Sequence, residues 1–562
     1  MNSAAGDLRI GLLADFNTQN LAVILRKIAG SGVECVEAPY NQTTRLLLDA
    51  SDSFWARPYD ALLIWTLPEL AAATFQQALA LEGFSSDELM GDVDAFCEMV
   101  RCVSANVRSI FVPTWGLASS ERGLGVADLI QDTGIARTLM RMNVRLIEGL
   151  SRDPRVMLID STRWLTIGGV ANPKLWYMAK TPFTNPTFHE AATDILAALD
   201  GLGGKGKKVV VVDLDNTLWG GVVGDDGKEG LRLGGHDPLG EAFVDLQKQL
   251  KRLTRRGVIL AIVSKNDESV ALDAIRHHPE MILGIEDFAA WRINWNDKAA
   301  NIADLVGELN VGLDSVVFLD DSAFERARVR EALPQVFVPE LPEDPTQYPS
   351  CVARLKCFDN PRVSDEDRTR TRMYTANRER TAMKAQYQSL EEWLAALKLR
   401  VRVELLTEAS LERASQLFNK TNQMNLSTRR MTAPELLAWS RTPNQKMWIF
   451  RVEDKFGDYG LCGIASLVQR NGVGEVKDFL LSCRVLGRGV EESMVWTVAD
   501  AARRLRCSEL VIKHVPTPKN QPCLEWFANY KPAQSQGNEF RISLSEQTRM
   551  PAHVHLETEG MK

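Results

Sequence analysis

The chain has 562 residues, of which 45% are hydrophobic and 25% are charged, a composition typical of folded globular proteins. This length exceeds what one hydrophobic core supports, so several domains are expected, and the net charge of −7 argues against nucleic acid as the main partner. The nine cysteines form no CxxC pairs, the chain start lacks a secretory signal pattern, and no run reaches the roughly 18 apolar residues of a membrane span. We therefore predict a cytoplasmic protein without disulfides, a zinc site or a membrane segment.

Short apolar strands alternate with helical stretches in the first 200 residues. The predicted strands are Leu8–Ala14, Ala61–Trp65, 109–112 and Val156–Ile159, and the predicted helices are Gln19–Ala29 and 189–199. This alternation predicts a parallel sheet flanked by helices. The Gly- and Lys-rich segment GLGGKGKK at 201–208 is predicted to be a linker that closes a first domain, 1–200.

The same rhythm repeats in a second predicted domain, 207–345, with strands at 209–214, 258–263 and 315–319. The first of these strands reads VVVVDLDNT and ends in Asp213 and Asp215. Because side chains alternate along a strand, both carboxylates leave its end on the same face. Such a pair can hold a hard cation or supply a nucleophile and an acid, although a solvated turn after a core strand is the plain alternative.

Three further polar signals follow in chain order. The next strand ends in Ser264-Lys265-Asn266, Lys298 opens a helix after NWND, and a third strand ends in Asp320-Asp321-Ser322. A hydroxyl- and amide-rich turn and a fixed lysine suit phosphate oxygens. Each signal alone could be a helix cap, a surface lysine or a pair of loop acids. Their order and chemical types together favour a phosphoryl-transfer site.

Together these motifs resemble the haloacid dehalogenase (HAD) superfamily of phosphohydrolases and phosphotransferases. The resemblance implies that Asp213 is a nucleophile forming an aspartyl-phosphate and that Asp215 is the general acid and base. It implies phosphate binding by Ser264, Lys265, Asn266 and Lys298, and a Mg²⁺ site formed by Asp213, Asp215 through its backbone carbonyl, Asp320 and Asp321. Only about thirty residues separate Ser264 from Lys298, which excludes a large inserted cap. The hairpin 219–235 is then the one predicted flap, and the open site leaves room for a bulky substrate.

Within that superfamily the chain resembles the FkbH-like branch from 209 to 527. The motifs that carry this likeness are DLDNTLWGGVVGDDG, VSKND, NWNDK, FLDDS, SDEDRTRTRMY, TNQMNLSTRR, FGDYG and DFLLSCRVLGRGVE. The resemblance implies a substrate, 1,3-bisphosphoglycerate, that loses phosphate while its glyceryl group is loaded on an acyl carrier protein. The product would be a thioester on the phosphopantetheine arm, for polyketide or secondary-metabolite biosynthesis. The first domain weakly resembles the SGNH-hydrolase-like domain of longer members. It has no serine after its first strand and no aspartate partner for His189, so we predict a non-catalytic domain.

The last predicted domain, 401–545, resembles the GNAT acyltransferase fold. A hairpin of strands 448–453 and 461–469, a strand 475–483, a helix Val490–Arg504 and a strand 510–515 are predicted. Arg484, Leu486, Gly487, Arg488 and Gly489 fit an RxxGxG loop, which would hold the pyrophosphate of coenzyme A or the phosphopantetheine arm at a helix start. Cys483 precedes this loop and is the first candidate for an acyl relay, with Cys462 second; a buried strand cysteine is the alternative for either.

Two segments complete the predicted architecture, an α/β multidomain protein with SGNH-like, HAD Rossmannoid and GNAT-like domains. Residues 346–400 are predicted as a helical linker, with capping boxes at Ser364 and Asp367 and at Ser389 and Glu392, and 546–562 as a disordered tail. The alternative function is an HAD phosphatase fused to an acyl-CoA-dependent N- or O-acyltransferase that modifies a sugar in surface-polysaccharide biosynthesis. Sequence fixes neither the acyl unit nor the oligomeric state.

Overall fold

A computed structural model describes residues 8–103, 106–117, 122–130, 133–170, 173–359, 387, 389–530, 533–545 and 548–558. These residues form two compact units, one ending at Leu199 and the other beginning at Asp200. Among the described residues, no helix combines the length and apolar character needed to cross a membrane. The predicted mixed α/β multidomain fold with parallel sheets is confirmed.

The first unit contains a five-stranded, fully parallel sheet in the order β2-β1-β3-β4-β5. Its strands are β1 (Leu8–Ala14), β2 (Val33–Glu37), β3 (Ala61–Trp65), β4 (Ile110–Pro113) and β5 (Val156–Ile159). Its helices are α1 (Gln19–Ala29), α2 (Thr43–Leu48), α3 (Pro68–Ala71), α4 (Ala73–Leu79), α5 (Ser86–Arg101), α6 (Ile135–Leu150), α7 (Thr162–Gly168), α8 (Pro173–Ala179) and α9 (Asn185–Leu202). The central strand β3 is buried throughout, because helices cover both faces of the sheet. The edge strand β2 reads VECVE and was not predicted, because its two glutamates interrupt the apolar pattern of a buried strand.

The second unit begins with a four-stranded parallel sheet in the order β8-β7-β6-β9. Its strands are β6 (Val209–Val212), β7 (Ile259–Ser264), β8 (Phe288–Ile293) and β9 (Val316–Leu319). Its helices are α10 (Val223–Gly230, interrupted at Gly227), α11 (Pro238–Arg255), α12 (Glu268–His277), α13 (Lys298–Leu309), α14 (Ala323–Ala332) and α15 (Tyr348–Ala353). Strand β8 was not predicted, because FAAWRI is short and alanine-rich. The carboxyl ends of β6, β7 and β9 meet at one edge, which positions the residues that follow them.

A larger, mostly antiparallel sheet completes the second unit in the order β16-β17-β15-β14-β13-β12-β10-β18, with β11 also paired to β14. Its strands are β10 (Leu399–Leu405), β11 (Met424–Asn425), β12 (Gln445–Asp454), β13 (Gly457–Arg470), β14 (Val473–Leu481), β15 (Glu509–Lys513), β16 (Ala533–Gln536), β17 (Glu539–Ser543) and β18 (Val554–Thr558). Its helices are α16 (Leu390–Leu397), α17 (Leu411–Lys420), α18 (Ala433–Ser440), α19 (Val490–Arg504) and α20 (Gln521–Asn529). The predicted hairpin is β12–β13, and the predicted helix is α19.

The predictions for the linker and the tail have different outcomes. The capping box at Ser364 and Asp367 lies outside the described residues, whereas Ser389 caps α16 by accepting a hydrogen bond from the Glu392 N–H at 3.1 Å. The prediction of a disordered tail is wrong for 554–558, since β18 pairs in parallel with β10. The physical reason is that β10 offers an otherwise open sheet edge, and main-chain pairing there needs no hydrophobic period in the tail.

Candidate active site

Asp213, Lys298 and Asp320 form a buried ionic cluster at the carboxyl edge of the four-stranded sheet. Asp213 follows β6, and its N–H donates to the Leu319 carbonyl of β9 at 3.0 Å. Lys298 opens α13, with its Nζ 3.0 Å from Asp213 Oδ2 and 2.6 Å from Asp320 Oδ2. All three residues are at most 6% exposed. The sequence places Asp213 and Asp320 at strand ends and Lys298 at a helix start, and the structure brings the three side chains together.

The cluster carries more negative than positive charge. Burial raises the pKa of Asp213, against the attraction of Lys298, and burial also raises the pKa of Asp320. Burial alone lowers the pKa of the Lys298 ammonium, but Asp213 and then Asp320 outweigh it, so the net pKa is raised. Lys298 thus stays charged while serving two carboxylates, and Asp321 lies beside them. A further cation would balance this excess.

The carboxylate oxygens fit a divalent cation. One oxygen from each of Asp213, Asp320 and Asp321 lies within 4.8 Å of the others. Asp213 Oδ1 is buried and has no hydrogen-bond partner among the described residues. An orphaned carboxylate oxygen is costly to bury, and oxygen ligands of this type suit Mg²⁺. The chemistry of the donor set therefore agrees with the predicted metal site.

Asp215 does not belong to the group formed by the Asp213, Asp320 and Asp321 carboxylates, because both of its own carboxylate oxygens accept hydrogen bonds from other residues. Its Oδ1 accepts from Trp219 Nε1 at 2.9 Å and from the Val223 N–H at 3.1 Å. Its Oδ2 accepts from Asn266 Nδ2 at 2.8 Å. These donors fix the carboxylate that follows Asp213 by two residues. The predicted contribution of Asp215 to the metal site is through its backbone carbonyl, so these side-chain hydrogen bonds do not compete with it.

The predicted phosphate-binding residues occupy different places. Ser264 ends β7 and is 1% exposed, and its side chain acts to lower the pKa of the Asp213 carboxyl. Asn266 contacts Asp215, as described above. Lys265 instead forms an ion pair with Glu325 at 2.7 Å. Successive side chains point to opposite sides at the strand end, so Lys265 cannot follow Ser264 to Asp213.

Arg326 is a structural partner of the site that sequence reasoning missed. Its Nη1 donates to the carbonyls of Asp320 at 2.9 Å and Asp321 at 2.6 Å, and its Nη2 lies 3.1 Å from Glu340. The guanidinium therefore fixes the loop that carries both carboxylates. The sequence AFERARVREA does not distinguish this arginine from the neighbouring arginines. Only the structure does so, because it buries the Arg326 side chain.

The predicted flap 219–235 is closed at its base. Gly220 and Arg232 pair as an antiparallel bridge, with reciprocal backbone hydrogen bonds of 3.1 and 2.8 Å. Between them lies α10 rather than a simple hairpin. Val223, which starts α10, donates to Asp215, so the flap is attached directly to the proposed acid.

The RxxGxG loop contains an internal carboxylate where a phosphate was expected. The Gly487 N–H donates to Glu491 Oε1 at 2.6 Å, and Glu491 is 1% exposed. The Arg488 side chain contacts the Tyr459 hydroxyl and lies 3.7 Å from Asp454, and its carbonyl accepts from His553 Nε2 at 2.9 Å. The Gly487 N–H is therefore occupied by a side chain of the chain itself, and the ionised form of Glu491 would repel a pyrophosphate, so Gly487 does not fit that group.

Glu491 gives the fold a measurable pH dependence. Burial raises its pKa to about 7, with the Gly487 N–H acting in the opposite direction. Protonated Glu491 therefore makes its full contribution to the free energy of unfolding below its ordinary pKa of 4.5. That contribution is lost as the pH rises through about 7, because the buried carboxyl then ionises. We expect Glu491→Gln to raise the free energy of unfolding by about 2 kcal/mol at pH 8 and to change it little at pH 5. Urea unfolding at both pH values measures this.

The control for that prediction is Glu525→Gln, which changes an exposed glutamate of α20. It should leave the pH dependence of unfolding as in the parent protein. A Glu491→Gln effect of equal size at pH 5 and pH 8 would contradict the prediction, because a lost packing contact does not titrate.

The two candidate relay cysteines differ in access. Cys462 lies in β13 with no exposed surface, its thiol donates to the Tyr459 carbonyl at 3.3 Å, and burial raises its pKa. Cys483 is half-buried and lines a cavity of about 370 Å³. A thiol must reach its reaction partner to act as a nucleophile, so the structure favours Cys483 over Cys462.

The chain is similar to the crystal structure of the N-terminal part of protein BF1531 from Bacteroides fragilis, which contains a phosphatase domain and is complexed with Mg. The two share 28% identity over 64% of this chain and 95% of that chain, with a TM-score of 0.57. A GNAT-family acetyltransferase from Staphylococcus aureus Mu50 matches 26% of this chain and 99% of its own at 7% identity and a TM-score of 0.21. Spermidine N-acetyltransferase SpeG from Vibrio cholerae, as an F149G mutant, matches 26% and 94% at 16% identity, also with a TM-score of 0.21. No protein-family model and no curated protein matches the chain.

Proposed function

We propose that the chain takes 1,3-bisphosphoglycerate, removes phosphate and loads the glyceryl group as a thioester on the phosphopantetheine arm of an acyl carrier protein. The observation that carries the phosphatase half is the buried Asp213 Oδ1, which has no hydrogen-bond partner among the described residues and lies beside Lys298 and Asp320. The Mg-bound phosphatase domain of BF1531 supports the same half. The FkbH-like motifs support the glyceryl and carrier-protein half.

The two phosphate groups of the substrate differ chemically, so we assign their reactions to two different sites. Its C1 phosphate is a mixed anhydride, and attack on that phosphorus would release a carboxylate and discard the activation. Its C3 phosphate is an ester whose removal leaves the acyl group intact. We therefore assign the ester to Asp213 and the anhydride to a thiol. The thiolate attacks the C1 carbonyl carbon, the bond from carbon to the phosphate oxygen breaks, and inorganic phosphate leaves.

At the ester, a carboxylate oxygen of Asp213 attacks phosphorus while the bond to the C3 oxygen breaks. Asp215 protonates the leaving oxygen, and Lys298 and Ser264 hold the transferred group against Asp213. Asp215 then takes a proton from water, whose attack on phosphorus releases phosphate and restores the Asp213 carboxylate. A Mg²⁺ held by Asp213, Asp320, Asp321 and the Asp215 carbonyl would supply neutralising charge for this chemistry.

The alternative is a phosphatase fused to an acyl-CoA-dependent N- or O-acyltransferase that modifies a sugar. Coenzyme A would require the pyrophosphate loop at 484–489. The Glu491 carboxylate, which accepts a hydrogen bond from the Gly487 N–H, argues against coenzyme A binding at this loop. A single phosphopantetheine arm needs no pyrophosphate site, so the carrier-protein proposal does not depend on this loop.

Intact-protein mass spectrometry tests the proposal. Purified protein is mixed with Mg²⁺, a 1,3-bisphosphoglycerate-generating system and a phosphopantetheinylated carrier protein. We expect a glyceryl-sized mass gain on the carrier; with Asp213→Asn the gain should become phosphoglyceryl-sized, since the ester phosphate is retained. An adduct on the enzyme that disappears in Cys483→Ala would assign the relay to that thiol. Phosphate release without any gain on the carrier would contradict the proposal and favour the sugar-modifying alternative.

A further inference from the structure

Two exposed aromatic side chains belong to the segments that carry the phosphatase site. Trp295 and Phe324 are 75% and 74% exposed, and Phe337, at 40%, is the next most exposed tryptophan or phenylalanine among the described residues. Trp295 lies three residues before Lys298. Phe324 lies three residues after Asp321. Each ring is therefore attached to a segment that also supplies a charged residue of the site.

Two contacts hold these segments close to the site. The residue before Trp295 donates its N–H to the Ser264 carbonyl at 3.1 Å. Standard backbone geometry then places the Trp295 Cα within about 11 Å of the Ser264 Cα. Arg328, four residues after Phe324 and therefore on the same face of α14, forms an ion pair with Asp297 at 3.2 Å. Both aromatic residues therefore lie beside the start of α13, which carries the lysine of the site.

The two rings have few contacts with the rest of the described chain. Neither ring stacks on another aromatic ring, and Trp295 Nε1 has no hydrogen-bond partner, among the described residues. The charged side chains of the same segments are paired, Arg328 with Asp297 and Glu325 with Lys265. A large aromatic side chain left in water beside a site contributes to binding when a ligand covers it. The two rings are therefore available to a substrate that extends beyond the buried carboxylates.

The leaving group of the substrate decides whether the rings are used. A small polar alcohol such as glycerol offers them little apolar surface, whereas a longer chain or a hexose ring offers more. We propose that Trp295 and Phe324 are specificity-determining residues that select phosphate monoesters whose alcohol part carries an extended, partly apolar portion. Two sources share this chemistry: a phosphoglyceryl group already attached as a thioester to a pantetheine arm, and a sugar phosphate. The proposal rests on the phosphatase half of the proposed function, and with the first source it places removal of the ester phosphate after thioester formation.

The test compares kcat/KM for phosphate release from three substrates by the full chain with Mg²⁺. Glycerol 3-phosphate is the small ester, and the larger ones are glucose 6-phosphate and the 3-phosphoglyceryl thioester of pantetheine. We expect the parent protein to prefer at least one of the larger esters over glycerol 3-phosphate by about tenfold or more. Trp295→Ala and Phe324→Ala should each lower kcat/KM for that ester by about fivefold or more, mainly through KM. Both variants should hydrolyse glycerol 3-phosphate within about twofold of the parent rate, because its alcohol part does not reach the rings.

Phe337→Ala is the matched control, since it removes another exposed phenylalanine, one that lies beside Val317 in the first half of β9. It should leave all three rates unchanged. An equal loss with every substrate in the Trp295 and Phe324 variants would indicate a structural role and overturn the proposal, as would unchanged kcat/KM for every substrate. A preference for the thioester would assign the rings to an acyl arm, and a preference for glucose 6-phosphate would assign them to a sugar. A parent protein that releases phosphate from no substrate would reject the phosphatase half of the proposed function together with this inference, whereas unchanged variants of a parent that hydrolyses the thioester would reject this inference alone.

Discussion

Asp213→Asn is expected to lower phosphate release from a phosphate ester by at least about 10³-fold without lowering the stability of the protein. The amide has nearly the same shape as the carboxylate but cannot attack phosphorus. Because Lys298 serves two buried carboxylates, removing the charge of one of them relieves repulsion with Asp320. The measurement pairs p-nitrophenyl phosphate hydrolysis with urea unfolding of the same preparation.

The matched control for this variant is Asp245→Asn, at an exposed aspartate of α11 that pairs with Lys248. It should change neither hydrolysis nor unfolding, since exposed ion pairs contribute little. Two results would contradict the prediction for Asp213. One is hydrolysis within about tenfold of the parent rate, and the other is a loss of activity fully explained by unfolding.

Lys298→Met is expected to destabilise the protein by about 3–5 kcal/mol and to lower phosphate release by about 10²-fold or more. Removing the ammonium leaves Asp213 and Asp320 facing each other without compensation in a buried site. The free energy of unfolding is measured in the presence of EDTA, because a divalent cation would mask the lost charge. Lys248→Met, which removes an exposed lysine of the same sheet's covering helix, should cost less than about 0.5 kcal/mol.

The double variant Lys298→Met with Asp213→Asn identifies the cause of that destabilisation. If charge repulsion dominates, the second change restores a large part of the lost stability, although activity remains absent. If the loss comes from packing of the lysine side chain, the two changes combine without recovery. The second result would refute the electrostatic account of the cluster.

Much of the phosphatase site could be predicted from sequence because its residues follow strands. A run such as VVVV predicts a buried parallel strand, and the rule that ligands collect at carboxyl strand ends then places Asp213, Ser264 and Asp320 together. Lys298 belongs to the same edge because α13 begins there. Local pattern and topology were sufficient for these four residues.

The remaining features depend on tertiary contacts that no local pattern encodes. Arg326 differs from nearby arginines only by its burial against the Asp320 loop, and Glu491 looks like an ordinary acid in the first turn of a helix. Lys265 lies next to Ser264 in sequence but pairs with Glu325, sixty residues later. Strand β18 forms because β10 has an available edge, which the tail sequence does not reveal.

The cavity that Cys483 lines and the Asp213 carboxylate lie at opposite ends of β6, because Lys208 precedes this strand and Asp213 follows it. Under the proposed function, a group released at one end would have to reach the other on a mobile molecule, since a side-chain rotation cannot span the strand. The two proposed activities would then be separable in the manner of genetic complementation: copies disabled at different ends would together complete the conversion in one tube. Throughput would depend on the concentration of the travelling partner, and an intermediate in transit would be open to interception by water or by another thiol.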